Sequence, residues 1–183
     1  MYNLSMNYRR VFIPNSCIHL IILAYKRRNI FIANIELLRQ AFGNAKTYFD
    51  FEIISICVLP DHIHVVLKPQ NIIDYPKIIT SVKYHFSKNM TLVVGQECPT
   101  YGYLNKREKG IFQRRYYEHT ILTEEELNNH INYIHFNPVK HGLVKAVKDW
   151  QYSSFHKFVE QGLYEQNWGS ETDIESIKKL NFE

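Results

Sequence analysis

Along the chain the apolar positions alternate between near-continuous runs and runs spaced three or four apart. Cys17–Tyr25 (CIHLIILAY) is almost uninterrupted, which predicts a strand buried on both faces. Residues 31–48 carry Ile32, Ile35, Leu38 and Phe42 at helical spacing, which predicts an amphipathic helix. Phe51–Leu59 predicts a second strand and His62–Lys68 a third. Between them Pro60-Asp61 has turn chemistry: Pro presets φ and Asp bonds local backbone. Residues 74–90 place Ile78, Val82 and Phe86 along one helical face. Residues 95–110, with Pro99, Gly102 and Gly110, read as a loop, and Phe112–Leu122 holds a fourth strand near Tyr117–Leu122. Thr123 and Glu126 make a capping box for a last main helix with Leu127, Ile131 and Ile134 as its apolar stripe. Pro138 disfavours the α conformation at Asn137, so this helix is expected to end near Phe136. Strand, helix, strand, strand, helix, strand, helix, with a tight central hairpin, predicts an α+β fold. The simplest form is a ferredoxin-like sandwich, an antiparallel sheet with helices packed on one face.

Composition narrows the class without changing that picture. The chain has 183 residues, 45% hydrophobic and 22% charged, which suits one globular domain rather than a disordered chain. The net charge is +4, unevenly spread. Residues 160–183 hold six acids and two bases, a net of −4, which leaves +8 on residues 1–159. We therefore divide the chain into a basic body, 1–159, and an acidic C-terminal tail, 160–183, either part of the same domain or flexible. A basic body favours a polyanionic partner, although a solvated surface carries such charge equally often. Cys17, Cys57 and Cys98 are odd in number and lack CxxC spacing, so neither a disulfide framework nor a thiolate zinc site is expected, which fits a reducing cytosol. The most apolar stretch is too short for a membrane span, and the first residues lack a secretory pattern.

His62-Ile63-His64 is the sharpest candidate for chemistry. Residues two apart on a strand point to one face, so both imidazoles project together as half of a divalent-metal site. Asp61 in the preceding turn is close enough to assist, though the strand pattern aims it away. On the last main helix Tyr133 and Asn137 stack one turn apart. An Asn carboxamide oxygen suits Mg²⁺ or Mn²⁺, and a tyrosine beside a metal-bound phosphodiester suits a nucleophile. Taken singly these signals are weak: HxH pairs are often surface histidines, and Tyr133 is one of 13 tyrosines.

Four blocks read together are far more specific. VLPDHIHVVL (Val58–Leu67), FQRRYYEHTI (Phe112–Ile121), HINYIHFNPVKHGLV (His130–Val144) and DWQYSSFHKFV (Asp149–Val159), after an opening NYRRVFIP (Asn7–Pro14), resemble the REP-associated tyrosine transposases. That family lies within the HUH single-strand DNA transposases. The resemblance implies metal ligands at His62 and His64, a catalytic Tyr133 and a third ligand at Asn137, with Mg²⁺ or Mn²⁺ as cofactor. It implies transesterification without ATP, through a 5′-phosphotyrosine and a free 3′-hydroxyl. It implies a single-stranded hairpin DNA substrate with a short guide sequence, a cytoplasmic, nucleoid-associated location, and a monomer, though related enzymes work as dimers.

The basic and aromatic residues suit such a substrate. Tyr8, Arg9 and Arg10 lead the chain, Lys26, Arg27 and Arg28 follow the first strand, and Arg114, Arg115 and Tyr116 precede the fourth. Core packing is the expected role of Tyr117 and of Trp150, Tyr152, Phe155 and Phe158. His119, His130, His135, His141 and His156 lie near the same blocks, and no spacing selects one as a base. The acidic tail is expected to cover the basic surface. Ligand histidines must be neutral, so activity is expected to fall below about pH 6. Two other readings stay open: a hairpin-binding module with no turnover, and a metal hydrolase using water as nucleophile.

Overall fold

The computed structural model describes residues 10–91 and 110–169. Strands β1 (Cys17–Leu23), β2 (Phe51–Val58), β3 (His62–Pro69) and β4 (Tyr117–Ile121) form one sheet in the order β2-β3-β1-β4, antiparallel throughout. Helix α1 (Ile35–Lys46) connects β1 to β2, and α2 (Tyr75–Asn89) follows β3. Helix α3 (Glu124–Lys140) follows β4, and a short α4 (Phe155–Glu160) closes the described chain. This is the ferredoxin-like α+β sandwich that the order of elements predicts.

Alternation along the strands sorts the side chains onto two different faces. Ile18, Leu20 and Ile22 of β1 and Ile63, Val65 and Leu67 of β3 pack against Leu38, Phe42, Ile78, Val82 and Phe86 of α1 and α2. The other face takes His19 of β1, His62, His64 and Val66 of β3, and Cys57 of β2, with α3 lying over it. Helices on one face only were the expectation, and α1 and α2 meet it. Helix α3 does not, because the opposite face is also water-excluding and buried and needs its own cover.

Helix α3 starts where its capping box places it. Thr123 Oγ1 accepts from the Glu126 N–H at 3.1 Å, and the Glu126 carboxylate reaches back to the Leu122 N–H at 2.7 Å. It runs past Asn137 and keeps Pro138 inside its last turn, beyond the expected end at Phe136. The stop is Gly142, at φ +68°, where a left-handed residue is required. Its N–H bonds Val139 O at 2.9 Å and the Leu143 N–H bonds Pro138 O at 2.9 Å, a paired C-terminal cap. That extra turn carries Asn137 and Lys140.

The segment after α3 folds back on its outer side. His135 Nε2 lies 2.8 Å from Ser154 Oγ, inside a ring of Phe155, Phe158 and Tyr164, with Trp168 stacked on Tyr164. Phe155 and Phe158 thus pack as expected, and Trp150 donates to Val58 O at 3.0 Å. The first ten residues of the acidic segment therefore include aromatic anchors on α3, while residues 170–183 lie outside the described residues.

Candidate active site and nucleic-acid groove

The β2–β3 hairpin presents His62 and His64 on the α3 side of the sheet, and both are buried. Their rings lie 4.9 Å apart. Asp61, aimed away in the strand reading, instead bends in from the turn: its Oδ1 lies 2.7 Å from His62 Nδ1. A carboxylate there orients the ring and directs Nε2 away from the turn, the usual support of a metal-binding histidine. Burial, opposed by Asp61, lowers the pKa of His62 below its ordinary value, which keeps the imidazole neutral. His64 Nδ1 lies 3.4 Å from His19 Nε2.

The last two turns of α3 sit over this pair. The Tyr133 ring meets the His64 ring edge-on at 5.8 Å, and the His141 ring meets His62 at 5.1 Å. Lys140 Nζ donates to Tyr133 Oη at 2.8 Å. That contact sets a cationic donor against the phenol oxygen. Asn137 donates through Nδ2 to Tyr133 O at 3.3 Å, which fixes the amide's orientation. Its Oδ1 is buried with no hydrogen-bond partner. A buried acceptor left in that condition is costly unless a ligand completes it. Two imidazoles of one face and an unpartnered carboxamide oxygen are a donor set that fits a divalent cation such as Mg²⁺ or Mn²⁺. Among these residues Lys140 escaped the sequence reading, because a lysine in a helix's last turn is ordinary complement to its dipole.

A second polar cluster lies on the same face. His119 of β4, Glu126 and His130 each offer a ligand atom within 4.8 Å of the others. His119 Nε2 lies 2.6 Å from Glu126 Oε1, and the His130 ring sits tilted between His119 at 5.1 Å and His19 at 4.8 Å. Burial, reinforced by the charge on His119, pushes the His130 pKa down to about 4. Burial alone pushes His135 down to about 3.

The basic residues divide. Arg10, Arg114 and Tyr116 come together with Lys83, Tyr84 and Lys88 of α2 around a groove of about 620 Å³ on the α2 side of β4. There Arg10 pairs with Glu118 at 3.3 Å and donates to Tyr116 Oη at 3.3 Å. Burial, with the Glu118 charge beside it, pushes the Tyr116 pKa up to about 12, so its hydroxyl stays protonated. Arg115 is exposed next to this groove. Lys26 and Arg27 are exposed at a corner where both adopt left-handed φ (55° and 54°). Arg27 pairs with Asp61 at 3.3 Å, and so backs the carboxylate that orients His62. Arg28 donates to Tyr25 O and to Gly110 O, which ties that corner to the start of the β4 segment. Tyr8 and Arg9 lie outside the described residues. Tyr117, expected in the core, is partly exposed, with its ring 6.0 Å from His19.

A basic groove, a paired-histidine face and a tyrosine helix on one small antiparallel sheet define a class. The sequence profile described as "Transposase IS200 like" matches residues 12–137, and the chain belongs to that family. Its relatives narrow the placement. A Haemophilus influenzae protein, whose name assigns it provisionally to the REP-associated tyrosine transposases, is 37% identical over 92% of this chain and 96% of its own length. The REP-associated tyrosine transposase of Escherichia coli is 31% identical over 94% of this chain and 97% of its own. A solved REP-associated tyrosine transposase bound to a REP hairpin superposes with a TM-score of 0.74 at 29% identity, over 90% of this chain and 92% of that one. The REP-associated tyrosine transposases are thus the branch into which this chain falls. Among the described residues no helix is long and apolar enough to cross a membrane.

Proposed function

We propose that the chain is a divalent-metal-dependent endonuclease and strand transferase. Its substrate is single-stranded hairpin DNA, and it works through a 5′-phosphotyrosine on Tyr133. The observation that carries this reading is the meeting of the Tyr133 and His64 rings at 5.8 Å, from elements far apart in sequence, with Lys140 Nζ on the phenol oxygen at 2.8 Å. His62, His64 and Asn137 would hold the ion, which when bound supplies Lewis-acid stabilisation of charge on the scissile phosphate.

The chain's own residues do the rest. Lys140 stabilises negative charge on Tyr133 Oη as its proton leaves, which makes a weak nucleophile competent near neutral pH. Tyr133 Oη attacks phosphorus in line. The new bond is P–O(Tyr133), the bond broken is P–O3′, and the 3′ oxygen leaves to take up a proton. A second 3′-hydroxyl reverses the step and joins strands, with the energy conserved in the phosphotyrosine ester. Tyr133 is only 1% exposed, so substrate binding has to open the cover over its hydroxyl before attack.

DNA is held on the other side of the edge strand. The groove of Arg10, Lys83, Lys88 and Arg114 supplies cations for phosphates, and Tyr84, 66% exposed, supplies a face for an unpaired base. A strand that wraps the β4 edge, the last strand of the sheet among the described residues, meets this groove first and the histidine face next. The solved relative bound to a REP hairpin supports hairpin DNA as the ligand class.

Incubating the protein with end-labelled single-stranded hairpin DNA and Mn²⁺ tests the reading. The expected result is a denaturation-resistant protein–DNA adduct that disappears in Tyr133→Phe. Cleavage with no adduct would point to water as nucleophile, and binding with no cleavage to a silent hairpin-binding protein. Either result overturns the proposal.

A further inference from the structure

We propose a second cation site, separate from His62, His64 and Asn137, formed by His119, Glu126 and His130 and suited to a borderline transition metal such as Zn²⁺. The three residues come from two elements, β4 and α3. His119 stands on the edge strand β4, Glu126 is in the first turn of α3, and His130 follows one turn later on the same helical stripe. One ligand atom of each lies within 4.8 Å of the others, a spacing that small side-chain rotations convert to coordination. Two imidazoles and one carboxylate with a fourth position for water form a set suited to Zn²⁺. The catalytic set differs in kind, since it replaces the carboxylate by a neutral carboxamide oxygen and so favours a harder ion.

The supports of the cluster are those of a ligand set. Glu126 Oε2 is anchored on the Leu122 N–H at 2.7 Å, which turns Oε1 toward His119. His130 is backed by the His19 ring at 4.8 Å, and His19 in turn reaches His64. His119 and Glu126 are partly exposed while His130 is buried, so an ion enters from solvent and meets a preformed inner ligand. The hydrogen bond between His119 and Glu126 accounts for that pair without any ion. His130 adds a second imidazole, buried at their side and within reach of the same ion. An ion there ties the edge strand to α3 one turn before Tyr133 and steadies the helix that carries the nucleophile. This inference does not depend on the strand-transfer reading.

The test uses the full chain, stripped with chelator and titrated with Co²⁺ as a spectroscopic probe, then with Zn²⁺ in competition. The visible d–d bands of Co²⁺ bound to nitrogen and oxygen are expected to persist in a His62→Ala/His64→Ala protein. They are expected to vanish in His119→Ala, whose side chain is partly exposed, and Glu126→Gln is expected to weaken Zn²⁺ binding by roughly 100-fold. Zn²⁺ at hundredfold excess over its Kd is expected to raise the melting temperature of wild type by about 5 °C more than that of His119→Ala. Should the double variant fail to fold, the stoichiometry decides: His119→Ala binds one equivalent fewer than wild type. An unchanged stoichiometry and spectrum in His119→Ala, or a double variant that is folded and binds no Co²⁺, would overturn the proposal.

Discussion

The two faces of the sheet are made by alternate residues of the same strands, yet they bury opposite chemistry. Toward α1 and α2 the sheet buries Ile18, Leu20, Ile22, Ile63, Val65 and Leu67. Toward α3 it buries His19, His62 and His64, with His130, Tyr133 and Asn137 set over them. The aliphatic face gains the full benefit of apolar burial, about 25 cal/mol per Å². The histidine face forgoes much of that, because its imidazoles must be desolvated, and burial holds the pKa values of His62 and His130 below the ordinary value. A fold retains such a face where the polar groups do chemistry, and supports it from the dry side.

Altering one side chain on each face should produce the largest effects, and opposite ones. His64→Gln is expected to lower the DNA cleavage rate by about 10³-fold or more while the protein still folds. Leu67→Ala, three residues further along β3 and facing the other way, is expected to cost ~2–5 kcal/mol of stability. Its cleavage rate per folded molecule should stay within a few-fold of wild type. Denaturant titrations beside single-turnover assays on both variants check this. If Leu67→Ala loses activity without losing stability, the division of labour between the faces is wrong.

Lys140 sharpens the account of the histidine face. Lys140→Ala is expected to slow adduct formation by on the order of 10²-fold. Lys140→Arg, which keeps the charge, should recover most of that. Equal rates for the two variants would mean that the contact to Tyr133 Oη at 2.8 Å only packs the helix.

Acid should act through the buried histidines of α3, His130 toward the sheet and His135 on the helix's outer side. His130 at about 4 and His135 at about 3 lie below the ordinary 6.5 of an unfolded histidine. Between these limits the unfolded chain binds more protons than the folded one, so stability is full above pH 6.5 and declines as pH falls toward about 4. Melting temperatures across that range should drop steadily, and His135→Phe should flatten part of the drop. A melting temperature constant from pH 7 to pH 4 would contradict the neutral burial of these rings.

How far the sequence reached follows the same division. Two-residue alternation fixes which face a strand side chain takes, so the pairing of His62 with His64 opposite Ile63 was readable in advance. The capping box at Thr123 and Glu126 was equally local and equally legible. What decides contacts between distant elements was not. Pro138 stayed inside α3 because Gly142 supplies the left-handed stop, and that extra turn delivers Lys140 to Tyr133. Asp61 reached His62 through the turn, outside strand alternation. The covering of both sheet faces came from the three-dimensional burial of residues that a one-dimensional pattern treats alike.

The smallest expected effects concern the groove beyond β4. Arg114→Ala should reduce the slope of log affinity against log salt for single-stranded hairpin DNA by ~0.7, the signature of one lost phosphate contact. Arg115→Ala, at the exposed residue next to the groove, should lower the slope by no more than Arg114→Ala does. Thr123→Ala, at the cap of α3, should cost ~1 kcal/mol and leave the salt slope unchanged. An Arg114 variant with an unaltered slope would move the DNA path off this groove.

The most direct measurement is peptide mapping by mass spectrometry of the protein after reaction with single-stranded hairpin DNA and Mn²⁺ and nuclease trimming. A nucleotide phosphate attached to Tyr133, on the α3 peptide that also carries His130 and Asn137, is the result this account predicts. A modified tyrosine elsewhere among the 13, or cleaved DNA with every tyrosine unmodified, would contradict it.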